Sequence, residues 1–275
     1  MPITIPSPQE VGGYYDTLGP FYQIVWGDSI HFGYWDDPTD AGISMAQAQQ
    51  RFTDLMIEQI ALAPGQRALD VGCGTGRPGI RLAQRSGAHV TGITVSQTQR
   101  EQARANAQAA GATNIRFELV DAMDLPYADG SFDAAWAFES IFHMPSRLRV
   151  FEEMRRVVRP GGRVVVADFV WTTPLTDEQI AVVYPAFAVG DLGSLNAYIG
   201  DLKRAGLRDI RCRDVTVNTI RPSNRATFAA MSSAEGRRQL VEAFGPERAT
   251  GFADGWAAIQ AINETLAYVV LTAEV

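Results

Sequence analysis

From Arg67 onward, apolar positions alternate between short runs and helical stripes. RALDVG reads as a strand, and RPGIRLAQRSG reads as a helix that starts near Pro78 and stops near Gly87. HVTGITV is the next strand, followed by a polar helix from Gln97 to about Ala110. IRFELVDA, FDAAWAFES and GGRVVVADFVW predict three more strands, with a helix RVFEEMRRVVR before the last. Strands and helices in turn predict an α/β fold: a parallel sheet covered on both faces, which takes ligands at the carboxyl ends of its strands.

Beyond Trp171 the periodicity changes. NAYIGDLKRAGL predicts a helix ending at Gly206, DIRCRDVTVNT alternates as a strand, and AYVVLTAEV predicts a last strand returning to the sheet. Residues 218–264 are mainly helical, with AEGRRQLVEAFG the clearest piece, and together with 172–194 they predict a cap over the strand ends. Ahead of the first strand, helix combines with the aromatic cluster GYYDTLGPFYQIVWGDSIHFGYW, which predicts a lid. The expected division is a lid over 1–62, a ligand-binding core over 63–171, and a cap with the last core elements over 172–275.

Composition narrows the partners. The 275 residues, 46% hydrophobic and 20% charged, suffice for one large domain or a domain with a cap. A net charge of -7 offers no basic excess for a phosphate backbone, so no nucleic-acid partner is expected. The opening MPITIPSPQE lacks a basic and an apolar targeting region, and no apolar run is long enough for a bilayer, which predicts a soluble, cytoplasmic chain with no membrane insertion. Cys73 and Cys212 stand far apart without a CxxC partner, so neither a disulfide framework nor a metal site is expected. The chain gives no reading of oligomeric state.

The glycine-rich stretch DVGCGTGRPG carries the chemistry. Asp70 ends a strand, Gly72, Gly74 and Gly76 follow at two-residue spacing, and a helix opens at once. Such a turn lets backbone approach a ligand closely, but a dinucleotide fold needs the spacing G-x-G-x-x-G, which leaves a nicotinamide oxidoreductase poorly supported. HFGYW at 31–35, GITVSQTQ at 92–99, DAMDLPYADGSFDAAWAFES at 121–140, HMP at 143–145 and RPGGRVVVADF at 159–169 accompany it. In this order, over nearly the whole chain, the set resembles the class I S-adenosylmethionine-dependent methyltransferases, close to the O-methyltransferases that act on sugars and other natural products in antibiotic biosynthesis.

The resemblance implies a Rossmann-like, seven-stranded, mostly parallel sheet with a lid and a helical cap, and S-adenosylmethionine as cofactor, leaving as S-adenosylhomocysteine. Gly72 and Gly74 are then the close backbone, and Asp70 orients the loop or receives the cofactor's ammonium. Most of the superfamily places an acid at the end of the second strand for the ribose; here Thr94 stands there, so the ribose falls to Thr94 and Gln99. Asp121 is assigned the adenine amino group, Ala122 a ring nitrogen through its amide, and the lid tyrosines Tyr14 and Tyr34 further cofactor contacts.

Of three histidines, His89 begins a strand on the amino side and reads as structural, and His31 is balanced between cofactor contact and packing. His143 follows the fourth strand at the ligand edge and is the candidate base, because imidazole titrates near working pH. Asp168, ending the fifth strand, is its candidate partner at the acceptor. Related sugar enzymes often carry two adjacent histidines, whereas Phe142 precedes His143 here, which makes the pocket more apolar. Phe142, Tyr184, Phe187 and Tyr198 are candidate walls for a small-molecule acceptor. The implied reaction is methyl transfer to a hydroxyl of a secondary metabolite, sugar or aglycone. The alternatives are transfer to carbon of a terpenoid or indole and, since fold does not fix function, a protein that only binds the cofactor.

Overall fold

A computed structural model describes residues 5–260 and 262–275. The chain runs through α1 (Pro8–Trp26), α2 (Met45–Ile60), β1 (Arg67–Val71), α3 (Arg77–Ser86), β2 (His89–Thr94), α4 (Gln97–Ala109), β3 (Ile115–Leu119) and β4 (Phe132–Phe138). A short 3-10 turn over Ile141–His143 leads to α5 (Arg147–Val157), β5 (Val158–Trp171), α6 (Asp177–Phe187), α7 (Leu195–Arg204) and β6 (Arg208–Asp214). Three helices follow, α8 (Thr216–Ser232), α9 (Ala234–Phe244) and α10 (Pro246–Gln260), before β7 (Leu266–Glu274) closes the chain.

The seven strands form one sheet in the order β3-β2-β1-β4-β5-β7-β6. The first five are parallel, and β7 lies antiparallel between β5 and β6. Strands buried on both faces read as continuous apolar runs, and β4 accordingly buries six of its seven residues. The core on one face holds Val150, Phe151 and Met154 of α5 with Tyr198 and Leu202 of α7. On the other face Phe52 and Met56 of α2 pack with aromatics of α1 and with Ile220 and Trp256 of the C-terminal helices.

Local chemistry sets several boundaries. Ser7 and Ser44 cap α1 and α2, each in a reciprocal box with Glu10 or Gln47 three residues on. The alternation of DIRCRDVTVNT predicts strand throughout, yet β6 stops at Asp214. Its carboxylate accepts the Thr216 N–H at 2.8 Å and α8 begins there, so the last four residues of that stretch are helical. No helix among the described residues is long and apolar enough to cross a membrane.

The site-forming feature is the reversal of strand order at β1. From β1 the chain steps outward to β2 and β3, then returns to β4 on the other side, so the loops leaving β1 and β4 diverge and open a crevice at their carboxyl ends.

Candidate active site

The loop after β1 builds the first wall. Gly72, Gly74 and Gly76 all take positive φ, at 73°, 51° and 80°. A Cβ at Gly72 would stand 2.3 Å from the Cβ of Ser140, so only glycine permits the loop to pack against the end of β4. Behind it Asp70 is buried, its Oδ2 has no partner among the described residues, and burial raises its carboxyl to about 7. That Oδ2 is packed toward α3, where a Cβ on Gly79 would stand 2.5 Å from it, and the neighbouring Trp136 indole partly offsets the rise.

This cleft holds about 900 Å³ of space, including its mouth, and Asp70, Gly72 and Gly74 line it. Thr94, Gln99, Asp121 and Ala122 form the wall from β2 and β3. Thr94 donates its hydroxyl to Gln99 Oε1 at 2.9 Å, which occupies the amide oxygen and leaves Gln99 Nε2 as a donor. Asp121 accepts the Met123 N–H through Oδ1 at 2.9 Å, and its Oδ2 bonds to no described residue.

A second chamber of about 770 Å³ opens beside the first, walled by Trp26, Phe32, Phe142, Phe169 and Phe187. Tyr15, Ile30, Glu139 and His143 line both cavities, so the chambers meet at these four side chains. Three of the four carry titratable groups in otherwise apolar surroundings.

His143 sits at the end of the 3-10 turn that follows β4, with Nδ1 3.0 Å from the carbonyl oxygen of Ala188. A carbonyl can only accept, so Nδ1 carries the proton and Nε2 keeps its lone pair. Tyr15 donates its hydroxyl to that lone pair at 2.7 Å. Burial lowers His143 to about 4, which keeps the ring neutral at physiological pH.

Glu139, at a φ of 48°, is the residue that sequence reading missed. Its Oε1 accepts the Phe32 N–H at 2.6 Å and the Tyr268 hydroxyl at 2.7 Å, and burial raises its carboxyl to about 8. The available signal was an acidic residue ending the otherwise apolar run AAWAFE.

Several expected residues stand elsewhere. Asp168 lines neither chamber: it is fully buried and accepts the Phe142 N–H at 3.1 Å, the Phe169 N–H at 2.9 Å and the Tyr198 hydroxyl at 2.9 Å. Burial raises its carboxyl to about 7, and its place is beneath the turn that carries His143. Tyr198 is a core residue that holds Asp168 and lines neither chamber. Tyr14 pairs with the Tyr22 hydroxyl and donates to the Ala186 carbonyl, and the next residue, Tyr15, faces the cavities in its place. The Tyr34 hydroxyl accepts from Arg213 at 3.2 Å, outside the cofactor cleft, and Val183 lines the second chamber where Tyr184 was expected. His31 lines the first cleft but is buried, stacked on Phe138 at 4.1 Å, with Nδ1 donating to the Phe32 carbonyl; burial lowers it to about 4. His89 opens β2 on the amino side.

Residues 69–166 match the methyltransferase domain family. The chain is 37% identical over 270 residues to (+)-O-methylkolavelool synthase of Herpetosiphon aurantiacus, a match covering 98% of this chain and 94% of that one. It is likewise 37% identical over 281 residues to the 27-O-demethylrifamycin SV methyltransferase of Amycolatopsis mediterranei, covering 98% of each. Among solved structures, the [4+2]-cyclase SpnF superposes with a TM-score of 0.85 at 33% identity, over 98% of this chain and 97% of that one.

Proposed function

The chain belongs to the class I S-adenosylmethionine-dependent methyltransferases, and we propose that it methylates a hydroxyl of a large, mostly apolar natural product with His143 as the base. The observation that carries this reading is the junction of the two chambers at a neutral imidazole whose Nε2 faces the Tyr15 hydroxyl, a group that lines both chambers. The first chamber suits the cofactor: Asp70 lines it and brings a carboxylate toward an ammonium, and the glycine turn brings N–H groups to a carboxylate. Gln99, held by the Thr94 hydroxyl, offers its Nε2 donor to a ribose, and Asp121 with the Ala122 amide offers an acceptor and a donor to an adenine edge. Bound there, S-adenosylmethionine supplies a methyl group made electrophilic by its sulfonium.

The protein's part is alignment, exclusion of water and movement of one proton. The acceptor's hydroxyl takes the place of the Tyr15 hydroxyl on His143 Nε2 and passes its proton there as it is methylated. The Ala188 carbonyl holds the ring in that tautomer and stabilises the imidazolium that results. Asp168 and Tyr198 fix the turn from below, and α1 serves as the lid, with Pro8, Val11 and Tyr15 over the cofactor cleft. Two relatives whose names carry an O-methyl group match 98% of this chain, which favours oxygen over carbon as acceptor. The aromatic walls from Phe142 and Phe169 also suit a carbon nucleophile on a terpenoid or indole.

The test is transfer of labelled methyl from S-adenosylmethionine across terpenoid alcohols, macrocyclic polyketides, glycosides and indoles, with each product's methyl placed by NMR. A methyl ether supports the reading. A C-methyl product overturns the choice of oxygen, and a panel without turnover despite tight cofactor binding overturns transfer itself.

A further inference from the structure

We infer that the acceptor chamber contains a second polar subsite, formed by Asn224 and Trp256, that reads a hydroxyl on the acceptor other than the one methylated. The inference rests on the placement of the acceptor in this chamber. Asn224 of α8 and Trp256 of α10 line it and lie outside the cofactor cleft, each only 3% exposed. Asn224 donates through Nδ2 to Asn263 Oδ1 at 2.8 Å, and its own Oδ1 has no partner among the described residues. The Trp256 Nε1–H is buried and without a described partner as well.

The contrast with Trp26 is informative. Trp26 lines the same chamber, but its indole N–H donates to the Thr227 hydroxyl at 2.8 Å, so that ring is already satisfied. Asn224 and Trp256 thus hold an unanswered acceptor and an unanswered donor within the wall of a cavity lined otherwise mainly by Ile220, Ile262, Leu266 and aromatic rings. Buried polar groups in native proteins are almost always partnered, so such groups at a ligand cavity mark a ligand's polar atoms. A hydroxyl fits because it both donates and accepts, and it answers the Asn224 amide in either orientation. The substrate class is therefore an apolar scaffold carrying at least two hydroxyls, one presented to His143 and one to this subsite.

The probes are α,ω-alkanediols from hexane to dodecane and the 1-alkanols of equal length. Each is titrated calorimetrically into the enzyme saturated with S-adenosylhomocysteine. In a purely apolar chamber a second hydroxyl weakens binding, because it loses water and gains nothing. The subsite reverses that sign: at the length that spans the chamber, the diol binds about tenfold tighter than the alkanol, the scale of a buried hydrogen bond made against one left unmade. Asn224→Leu and, separately, Trp256→Phe each shrink that ratio, with S-adenosylhomocysteine affinity as the control for folding. Alkanols equal to or tighter than diols at every length overturn the inference, as does a ratio that survives both substitutions or a failure of both series to bind. A diol preference without methyl transfer to any acceptor keeps the subsite and overturns the proposed reaction, so the two failures are separable.

Discussion

At the scale of single residues, the proposal turns on one proton acceptor. Replacing His143 with alanine is expected to lower the single-turnover rate about a hundredfold, the range for a lost general base, with S-adenosylhomocysteine affinity within about threefold of the native value. An unchanged rate would leave alignment alone as the source of catalysis. Because burial lowers His143 to about 4 from its ordinary 6.5, kcat should show no histidine inflection between about pH 5.5 and 7.5. An inflection near 6.5 in kcat would mean that the working ring is solvated and does not have the environment described. The place of His143 at the cavities was legible because the turn after the fourth strand opens at the carboxyl edge of the sheet. The tyrosines were not: Tyr14 and Tyr15 are neighbours on one helix, about 100° apart around its axis, and only packing shows which one faces the cavities. Tyr198 was misplaced for the same reason, since an aromatic on a helical stripe looks alike whether it meets a ligand or a buried carboxylate.

Among elements, α1 is the one whose docking defines both chambers. Gly12 lies where α1 crosses the segment after β2, and a Cβ there would meet the Val95 carbonyl oxygen at 2.8 Å. Asp16, one turn on, accepts the Ser96 hydroxyl. Alanine in place of glycine favours a helix by about 1 kcal/mol, so on propensity alone Gly12→Ala should strengthen α1. Packing opposes this: the methyl group must displace either α1 or the segment that carries Thr94 and Gln99. The expected outcome is cofactor affinity about tenfold weaker, with faster amide exchange along α1, measured by calorimetry and hydrogen exchange. Unchanged affinity with a higher melting temperature would show that α1 docks without this contact. The β/α alternation from Arg67 to Trp171 was legible because each buried strand is an apolar run and the turns carry glycine. The end of β6 was not, because VTVNT alternates well enough for a strand, while the turn in which Asp214 accepts the Thr216 N–H ends the strand just before α8. Asn224 gave no signal, since an amide in a helical cap says nothing about what it faces until the fold is assembled.

For the whole molecule, the site imposes a pH dependence on stability. Asp70 and Asp168 are raised from 3.8 to about 7, and Glu139 from 4.5 to about 8, each chiefly by burial. A carboxyl raised in the folded state keeps a proton that the unfolded chain has lost, so its contribution to stability declines as pH rises through the folded value. His31 and His143 act in the opposite direction: lowered from 6.5 to about 4, they favour the folded state progressively as pH rises across that interval. The two sets oppose each other below about pH 6.5, and above it only the carboxyls still titrate. Between pH 6.5 and 8 the cofactor-free protein should therefore lose on the order of 1 kcal/mol per carboxyl, a fall of several degrees in melting temperature. Cofactor binding should change this at one residue. An ammonium placed against Asp70 favours its ionised form, so S-adenosylhomocysteine binding near pH 6 should release close to one proton from that carboxyl, and affinity should rise with pH up to about 7. Titration calorimetry in buffers of different ionisation enthalpy reads the proton count directly. Asp70→Asn should abolish the release, weaken binding, and flatten part of the stability loss above pH 6.5. Buffer-independent heats in the native protein would mean that Asp70 keeps its protonation state on binding and that the ammonium is held elsewhere.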